Sequence, residues 1–477
     1  MRTFGNLLAF SPELWLLAGA IVVFVMARFM PRASTTPVAL VGLVLAFLAL
    51  ATQFKQTITI LDGAFLLDGF AIFAQVVVLG AAALCLLASR ADSLPGESPV
   101  AAEPGFFLLA TLGAMLAVSA GEMVSLFLAL ELLASNLYVL TGLTRRGAGG
   151  IGAGLGYLVL GAASSAILLY GLAVIFGLSG ETRLPAAGQA LAALRGTQPA
   201  LLLAVCLLLA GFSVRMGLLP VRWWTRGFET GVSPRVTMFA LSVGVVAAIA
   251  VFGRIAVSTF AGSHVPYAAV IAVVAALAMS AGNLLAITQS SVRRLLVYSG
   301  IAQAGYALVA FTDLKRAGIG ALLIFLTTLA LTSICAFATI IAYARAVHSD
   351  AIRDLAAMSR TTPGLAVALG LAVISLAGLP PVAGFFGKLL VLQAAVDGGF
   401  AWLAVVGALN IVLAALGYVR ILRIVFVDPP VFEVAPVRLG LSIRATVALS
   451  AAGIVFLGLF LGPLYTAASY GRSAILH

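Results

Sequence analysis

Glu131 stands in the middle of FLALELLASNLYVL, a run with no other charge. An ionised carboxylate at that depth in a hydrocarbon layer costs several kcal/mol unless it is paired, so such a residue marks either a proton-exchanging site or a carboxylate locked to a neighbouring helix. Lys388 lies in SLAGLPPVAGFFGKLLVL and is one of only three lysines, the others being Lys55 and Lys315. A lysine can release and retake a proton when buried, whereas arginine effectively cannot. The pattern points to a proton relay at Lys388, or else to a long side chain that snorkels to the membrane surface. Arg215, in AGFSVRMGLLPVRWW, is a permanent cation that either answers Glu131 or fixes topology at the inner boundary. Arg222, beside Trp223 and Trp224, reads first as an interface anchor. Gln303 and Tyr306, in SGIAQAGYALVAF, could line a polar path. Asp68 and Glu122 read as boundary residues, and Arg254 as a cation that pairs or snorkels.

The elements that must carry these groups are membrane helices. Of the 477 residues, 63% are hydrophobic and 9% charged, far from the roughly 25% charge of soluble domains. Apolar runs of about 20 residues recur from end to end, each long enough to cross a bilayer core ~30 Å thick. The expected fold is an all-α membrane protein of about fourteen transmembrane helices. The expected spans are 12–30, 37–54, 66–88, 105–120, 122–142, 153–178, 199–219, 235–260, 266–288, 294–312, 317–344, 363–396, 400–427 and 441–468. The whole chain, 1–477, reads as one polytopic domain. The first span reads as a retained helix rather than a leader, because Glu13 precedes it and Arg28 and Arg32 follow.

With the N-terminus outside, Arg2, Lys55, Arg183, Arg195, Lys315, Arg316 and Arg472 are the only ones of the 27 Lys and Arg residues on the outer side. That bias predicts both termini outside. Two spans are broken, the seventh by Gly217 and Pro220 and the twelfth by Gly378, Pro380, Pro381 and Gly384. Proline removes a donor and clashes with the preceding turn, and a break at membrane depth is tolerated where protein or a wet cavity satisfies the freed groups. Breaks five spans apart are what two five-helix repeats of opposite topology would give. The repeats would cover 104–260 and 266–427, flanked by 12–88 and 441–468.

The formal net charge of +11 is spread through short loops, with no dense patch to track phosphates, which excludes a nucleic-acid binder. Cys85, Cys206 and Cys335 fall in apolar runs without a CxxC pair, and His264, His348 and His477 are scattered. No metal or haem site is expected from them, nor does a phosphate loop or dinucleotide turn suggest soluble catalysis.

Five stretches together resemble the antiporter-like membrane subunits of respiratory complex I, and within them the subunit N group of bacterial NADH-quinone oxidoreductases. They are SPELWLLAGAIVVFV, FLALELLASNLYVLTG, YLVLGAASSAILLYGLAVIFGLSG, NLLAITQSSVRRLLVYSGIAQAGY and SLAGLPPVAGFFGKLLVL. They extend over most of the chain in family order, and ELLASNLYVL favours subunit N over subunit M. The resemblance implies fourteen helices with two inverted repeats, and proton translocation driven by quinone reduction elsewhere in the complex. It implies a subunit of a translocase with no redox centre of its own. NADH, FMN, iron–sulfur clusters and quinone would belong to partner subunits, and the chain would sit among other membrane subunits in the bacterial inner membrane, linked through the complex to the quinone pool.

Glu131 matches the family's fifth-span glutamate and Lys388 its twelfth-span lysine. Gly156 stands at the place of a sixth-span lysine, Arg215 at that of the seventh-span lysine, and Arg222 at that of a histidine after the break. Val245 stands near the eighth-span lysine, and Gln303 replaces a tenth-span histidine. Much of the polar axis is therefore neutral or fixed in charge. Two other readings stay open: an assembly subunit with a weakened relay, and a subunit of a multi-subunit cation/proton antiporter, which shares the fold.

Overall fold

A computed structural model describes residues 9–30, 34–54, 56–89, 100–144, 148–194, 198–218, 232–262, 266–314, 317–429 and 439–476. The helices in chain order begin with α1 (Ser11–Phe29), α2 (Thr36–Ala51), α3 (Gly69–Ser89), α4 (Glu103–Ser119), α5 (Met123–Leu143) and α6 (Ala148–Ser179). A ten-residue lateral helix, α7 (Leu184–Ala193), leads to α8 (Gln198–Arg215), and α9 (Pro234–Phe260) is followed by α10 (Tyr267–Ile287), α11 (Val292–Val309) and α12 (Gly318–Val347). The remainder comprises α13 (Pro363–Ala377), α14 (Ala383–Asp397), α15 (Ala401–Phe426), α16 (Leu441–Leu459) and α17 (Gly462–Leu476). A small hairpin of β1 (Ile58–Ile60) and β2 (Phe65–Leu67) links α2 to α3, pairing Ile58 with Leu67 and Ile60 with Phe65.

Among the described residues, ten helices are long and apolar enough to cross a membrane, and four shorter apolar helices stand beside them. The long α9 is buried along its whole span, whereas α1, α15 and α16 turn most of their length outward. Their outer faces are aliphatic, with Ile21, Val22, Leu409, Val412 and Leu416 exposed. A wall of that kind is stable against acyl chains and not against water.

Close helix contacts rest on small residues, as they must where no hydrophobic force draws helices together in lipid. A Cβ on Gly113 would lie 2.5 Å from the Leu133 amide nitrogen, joining α4 to α5, and a Cβ on Gly282 would lie 2.5 Å from the Ala302 amide nitrogen, joining α10 to α11. The same doubling recurs outside the helices. Before α5, Met123 N donates to Thr182 O and Leu184 N to Gly121 O; before α11, Val292 N donates to Asp350 O and Ile352 N to Ser290 O, all at 2.9 Å. In each half a two-residue bridge thus ties the entry of one long helix to the exit of the next.

Two expectations change. Asp68, expected at a boundary, forms a buried pair with Arg254, whose pairing is one of its two expected readings. The guanidinium donates from Nη1 and Nη2 to the two carboxylate oxygens at 3.0 and 2.8 Å, and from Nε to Val118 O at 2.8 Å. Asp68 also accepts from the Ala71 amide at 2.7 Å, so the carboxylate satisfies a free donor of the first turn of α3. The stretch expected as one span over 441–468 stops at Leu459 and resumes as α17 from Gly462, whose Tyr470 packs on Gly69. Cys206 is exposed on the apolar wall, while Cys85 and Cys335 are buried.

Candidate functional site

Besides the buried Asp68–Arg254 pair, two polar centres gather the residues singled out in the sequence. The first joins α5, α6 and α8. Arg215 closes the last turn of α8, and Gly217, at φ +71°, takes the left-handed conformation that stops a helix there. The guanidinium then reaches back across the bundle. Its Nη2 donates to Glu131 Oε1 at 2.5 Å and to Ser165 Oγ at 2.6 Å, and Nη1 donates to Leu130 O at 3.2 Å. Ser165 Oγ lies 2.6 Å from the same Glu131 oxygen. The Arg215 side chain is 9% exposed and that of Glu131 33%, so the counter-ion is nearly buried while the acid is partly open. Of the two readings of Arg215, the pairing with Glu131 is the one the structure shows.

A cavity of about 20 Å³ adjoins Arg215, lined by Tyr138, Tyr157, Gly161 and Val245 among others. A single water needs roughly 10–15 Å³ by the same measure. Val245 follows a π-helical turn over Ala240–Gly244, an irregularity that recurs at functional sites. No charged residue occurs between Arg235 and Arg254, so the α9 wall beyond this cavity is apolar. Gly156, on α6, has open space beside it.

The second centre is the break between α13 and α14. Gly378 ends α13 at φ +82°, and a Cβ there would meet Lys388 Cδ at 2.5 Å; glycine is needed both for the backbone and for the lysine. Lys388 is buried and folds back onto the break. Its Nζ donates to Leu376 O at 2.7 Å and Ala377 O at 3.2 Å, and lies 4.1 Å from the centroid of the Tyr306 ring. The ammonium thereby satisfies carbonyls that lost their helical partners and neutralises the negative end of α13. Gln303 Nε2 donates to the same Leu376 carbonyl at 3.0 Å, and Tyr306 donates to Gly407 O at 2.8 Å. Among the described residues, no carboxylate forms an ion pair with Lys388.

Lys388, Gln303 and Tyr306 therefore form one cluster, and Glu131 and Arg215 another. Arg222 and Pro220 lie outside the described residues. Sequence reasoning missed Ser165 and the Leu376 carbonyl: a hydroxyl in an apolar helix raises no alarm, and a backbone oxygen carries no sequence signal beyond the break itself.

Residues 120–414 match the family model described as NADH:quinone oxidoreductase/Mrp antiporter, TM. The chain belongs to this family. It is 35% identical to NADH-quinone oxidoreductase subunit N of Granulibacter bethesdensis over 87% of both chains, and 33% identical to NADH-quinone oxidoreductase subunit N 1 of Rhizobium meliloti over 96% of this chain and 95% of that one. Among solved structures, a chain of respiratory complex I from Thermus thermophilus superposes with a TM-score of 0.81 at 28% identity, covering 96% of this chain and 99% of the other. A chain of the Mrp complex from Dietzia has a TM-score of 0.84 at 22% identity, with 98% and 97% covered; that likeness speaks to the fold alone.

Proposed function

We propose that this chain is a proton-translocating membrane subunit of a bacterial NADH-quinone oxidoreductase, coupling quinone reduction elsewhere in the complex to proton movement. The observation that carries this is Lys388, an ammonium buried at a helix break where, among the described residues, no carboxylate forms an ion pair with it. After losing one proton, a lysine amine still has two N–H groups, enough to keep both carbonyls of the break satisfied. The site can therefore change its protonation without leaving the break unsatisfied. Arg215 cannot do the same; it serves as a fixed charge that holds Glu131, and proton exchange at the first centre falls to the carboxylate. Gln303 and Tyr306 belong to the polar path around Lys388, and the small cavity by Arg215 gives a place for water where Val245 supplies no ionisable group.

We read the architecture as fourteen spans, with the ten long helices and four shorter ones as support and α13 and α14 counted as one broken span. The paired glycine contacts and paired bridges before α5 and α11, with left-handed stops at Gly217 and Gly378, support two five-helix repeats over 104–260 and 266–427 in inverted orientation. The bias of Lys and Arg supports both termini outside a bacterial inner membrane. NADH, FMN, iron–sulfur clusters and quinone are assigned to partner subunits, with the other membrane subunits as neighbours.

An assembly role without transport is the second reading, favoured by the apolar α9 wall and by Gln303, whose amide is held by a backbone carbonyl. The experiment is proton pumping by the assembled complex in sealed vesicles, with Glu131→Gln and Lys388→Arg compared with the parent chain. A fall in protons moved per NADH oxidised is expected in both. An unchanged ratio in both, with intact assembly, removes these residues from the pathway and leaves the assembly reading.

A further inference from the structure

A cavity of about 670 Å³ opens between α13 and α16, far larger than the space beside Arg215. Its walls are apolar, and small residues create it: Ala368 on one side and Ala448 and Ala451 on the other leave a slot where larger side chains would close the two helices together. One end is polar. Thr361 and Thr362 sit just before α13, and Arg444 sits in the first turn of α16. Arg444 is exposed, as is Arg360 just before the two threonines. Among the described residues, neither Arg444 nor Arg360 forms an ion pair.

We propose that this groove binds one anionic phospholipid, with the phosphate at Arg444 and an acyl chain lying between α13 and α16. Charge complementarity selects the occupant. A neutral lipid would fill the slot but leave Arg444 unanswered at its mouth, and a zwitterionic one would bring a second cation up to it; a basic pocket between transmembrane helices is the arrangement that takes an acidic headgroup. Dimensions agree. The volume falls within the range of about 300–1,000 Å³ found for small-molecule sites, and the wall from Thr361 to Leu371 runs roughly 15 Å at 1.5 Å per residue, the reach of most of one acyl chain. A soluble anion would satisfy the arginine and leave the apolar slot empty, so the lipid source is favoured over free phosphate. The site also touches α13, whose far end carries the Leu376 and Ala377 carbonyls that hold Lys388.

The test is native mass spectrometry of the intact complex, extracted in mild detergent and exchanged against an equimolar mixture of phosphatidylglycerol and phosphatidylcholine. Three forms are compared: parent, Arg444→Gln at the mouth, and Ala448→Trp in the slot. The parent is expected to retain one more phosphatidylglycerol than either variant, with retention about fivefold weaker in Arg444→Gln, the effect of one cation near an anionic headgroup. Ten-millimolar inorganic phosphate should not displace it. Equal phosphatidylglycerol retention in parent and Arg444→Gln overturns the proposal. So does equal retention of both lipids, displacement by phosphate, or a polypeptide cross-linked through a photoreactive residue at position 448.

Discussion

Arg215 grips Glu131 through the same oxygen that faces Ser165, at 2.5 Å from the guanidinium, and it does so from inside the bundle while Glu131 is a third exposed. The pair is asymmetric. Removing the acid leaves a nearly buried cation that cannot shed its charge, while removing the arginine leaves a carboxylate that keeps the Ser165 hydroxyl and can take up a proton. Glu131→Gln is therefore expected to lower stability more than Arg215→Gln does. Breaking a buried pair by removing one partner costs about 3–5 kcal/mol, and the ability of the carboxylate to become neutral puts Arg215→Gln below that range. Thermal unfolding of the assembled complex, read on this subunit by protease protection, checks the order; equal losses would contradict it.

Arg215→Lys is informative in a different way. Lysine keeps the charge but loses the planar fork that reaches Glu131, Ser165 and the Leu130 carbonyl together. Assembly is expected to fall modestly. The gain is a group that can release a proton next to the water-sized cavity, so pumping per NADH should be kept or raised. A variant that assembles and pumps less than the parent would show that the fixed charge is required.

How much of this was readable beforehand depends on cost. Glu131, Arg215 and Lys388 stood out because charge deep in an apolar run is expensive, and Pro380, Pro381 and Gly378 marked the break on which Lys388 acts. Asp68 was misread as a boundary group because it lies near the start of its span, and although Arg254 reads as a cation that pairs or snorkels, nothing local reveals that residues 186 positions apart meet in the core. The β1–β2 hairpin was missed because two three-residue strands carry no usable alternation. The stop at Leu459 lies in a stretch whose apolar pattern continues past Gly462, so hydropathy gave no boundary. The doubled bridges before α5 and α11 are backbone hydrogen bonds, and backbone bonds leave little trace in side-chain identity.

The Asp68–Arg254 pair gives a sharper stability prediction than the first centre, because both side chains are buried. Arg254→Met alone would strand the carboxylate and orphan the Val118 carbonyl, and Asp68→Leu alone would strand a guanidinium whose ring neighbour is Phe70 at 5.2 Å. Each single change is expected to cost about 3–5 kcal/mol, and the double change distinctly less than their sum, since an apolar pair of similar volume needs no counter-charge. A double-mutant cycle on unfolding of the subunit measures this; strict additivity would show that the two groups do not depend on each other.

Gly378→Ala tests the second centre without touching a titratable group. The added methyl meets two obstacles. The backbone sits at φ +82°, where a non-glycine residue is strained by roughly 1–2 kcal/mol. The new Cβ would also lie 2.5 Å from Lys388 Cδ, so the lysine must withdraw from the Leu376 and Ala377 carbonyls. An unsatisfied buried acceptor costs about 1–3 kcal/mol, which brings the expected loss to at least about 2 kcal/mol. Because the ammonium moves rather than disappears, Gly378→Ala should depress pumping per NADH in the same direction as Lys388→Arg, while Gly399→Ala, also at positive φ but with open space around it, should lose stability only. If Gly378→Ala assembled normally and pumped like the parent, the tight fit between the break and Lys388 would have no part in proton transfer.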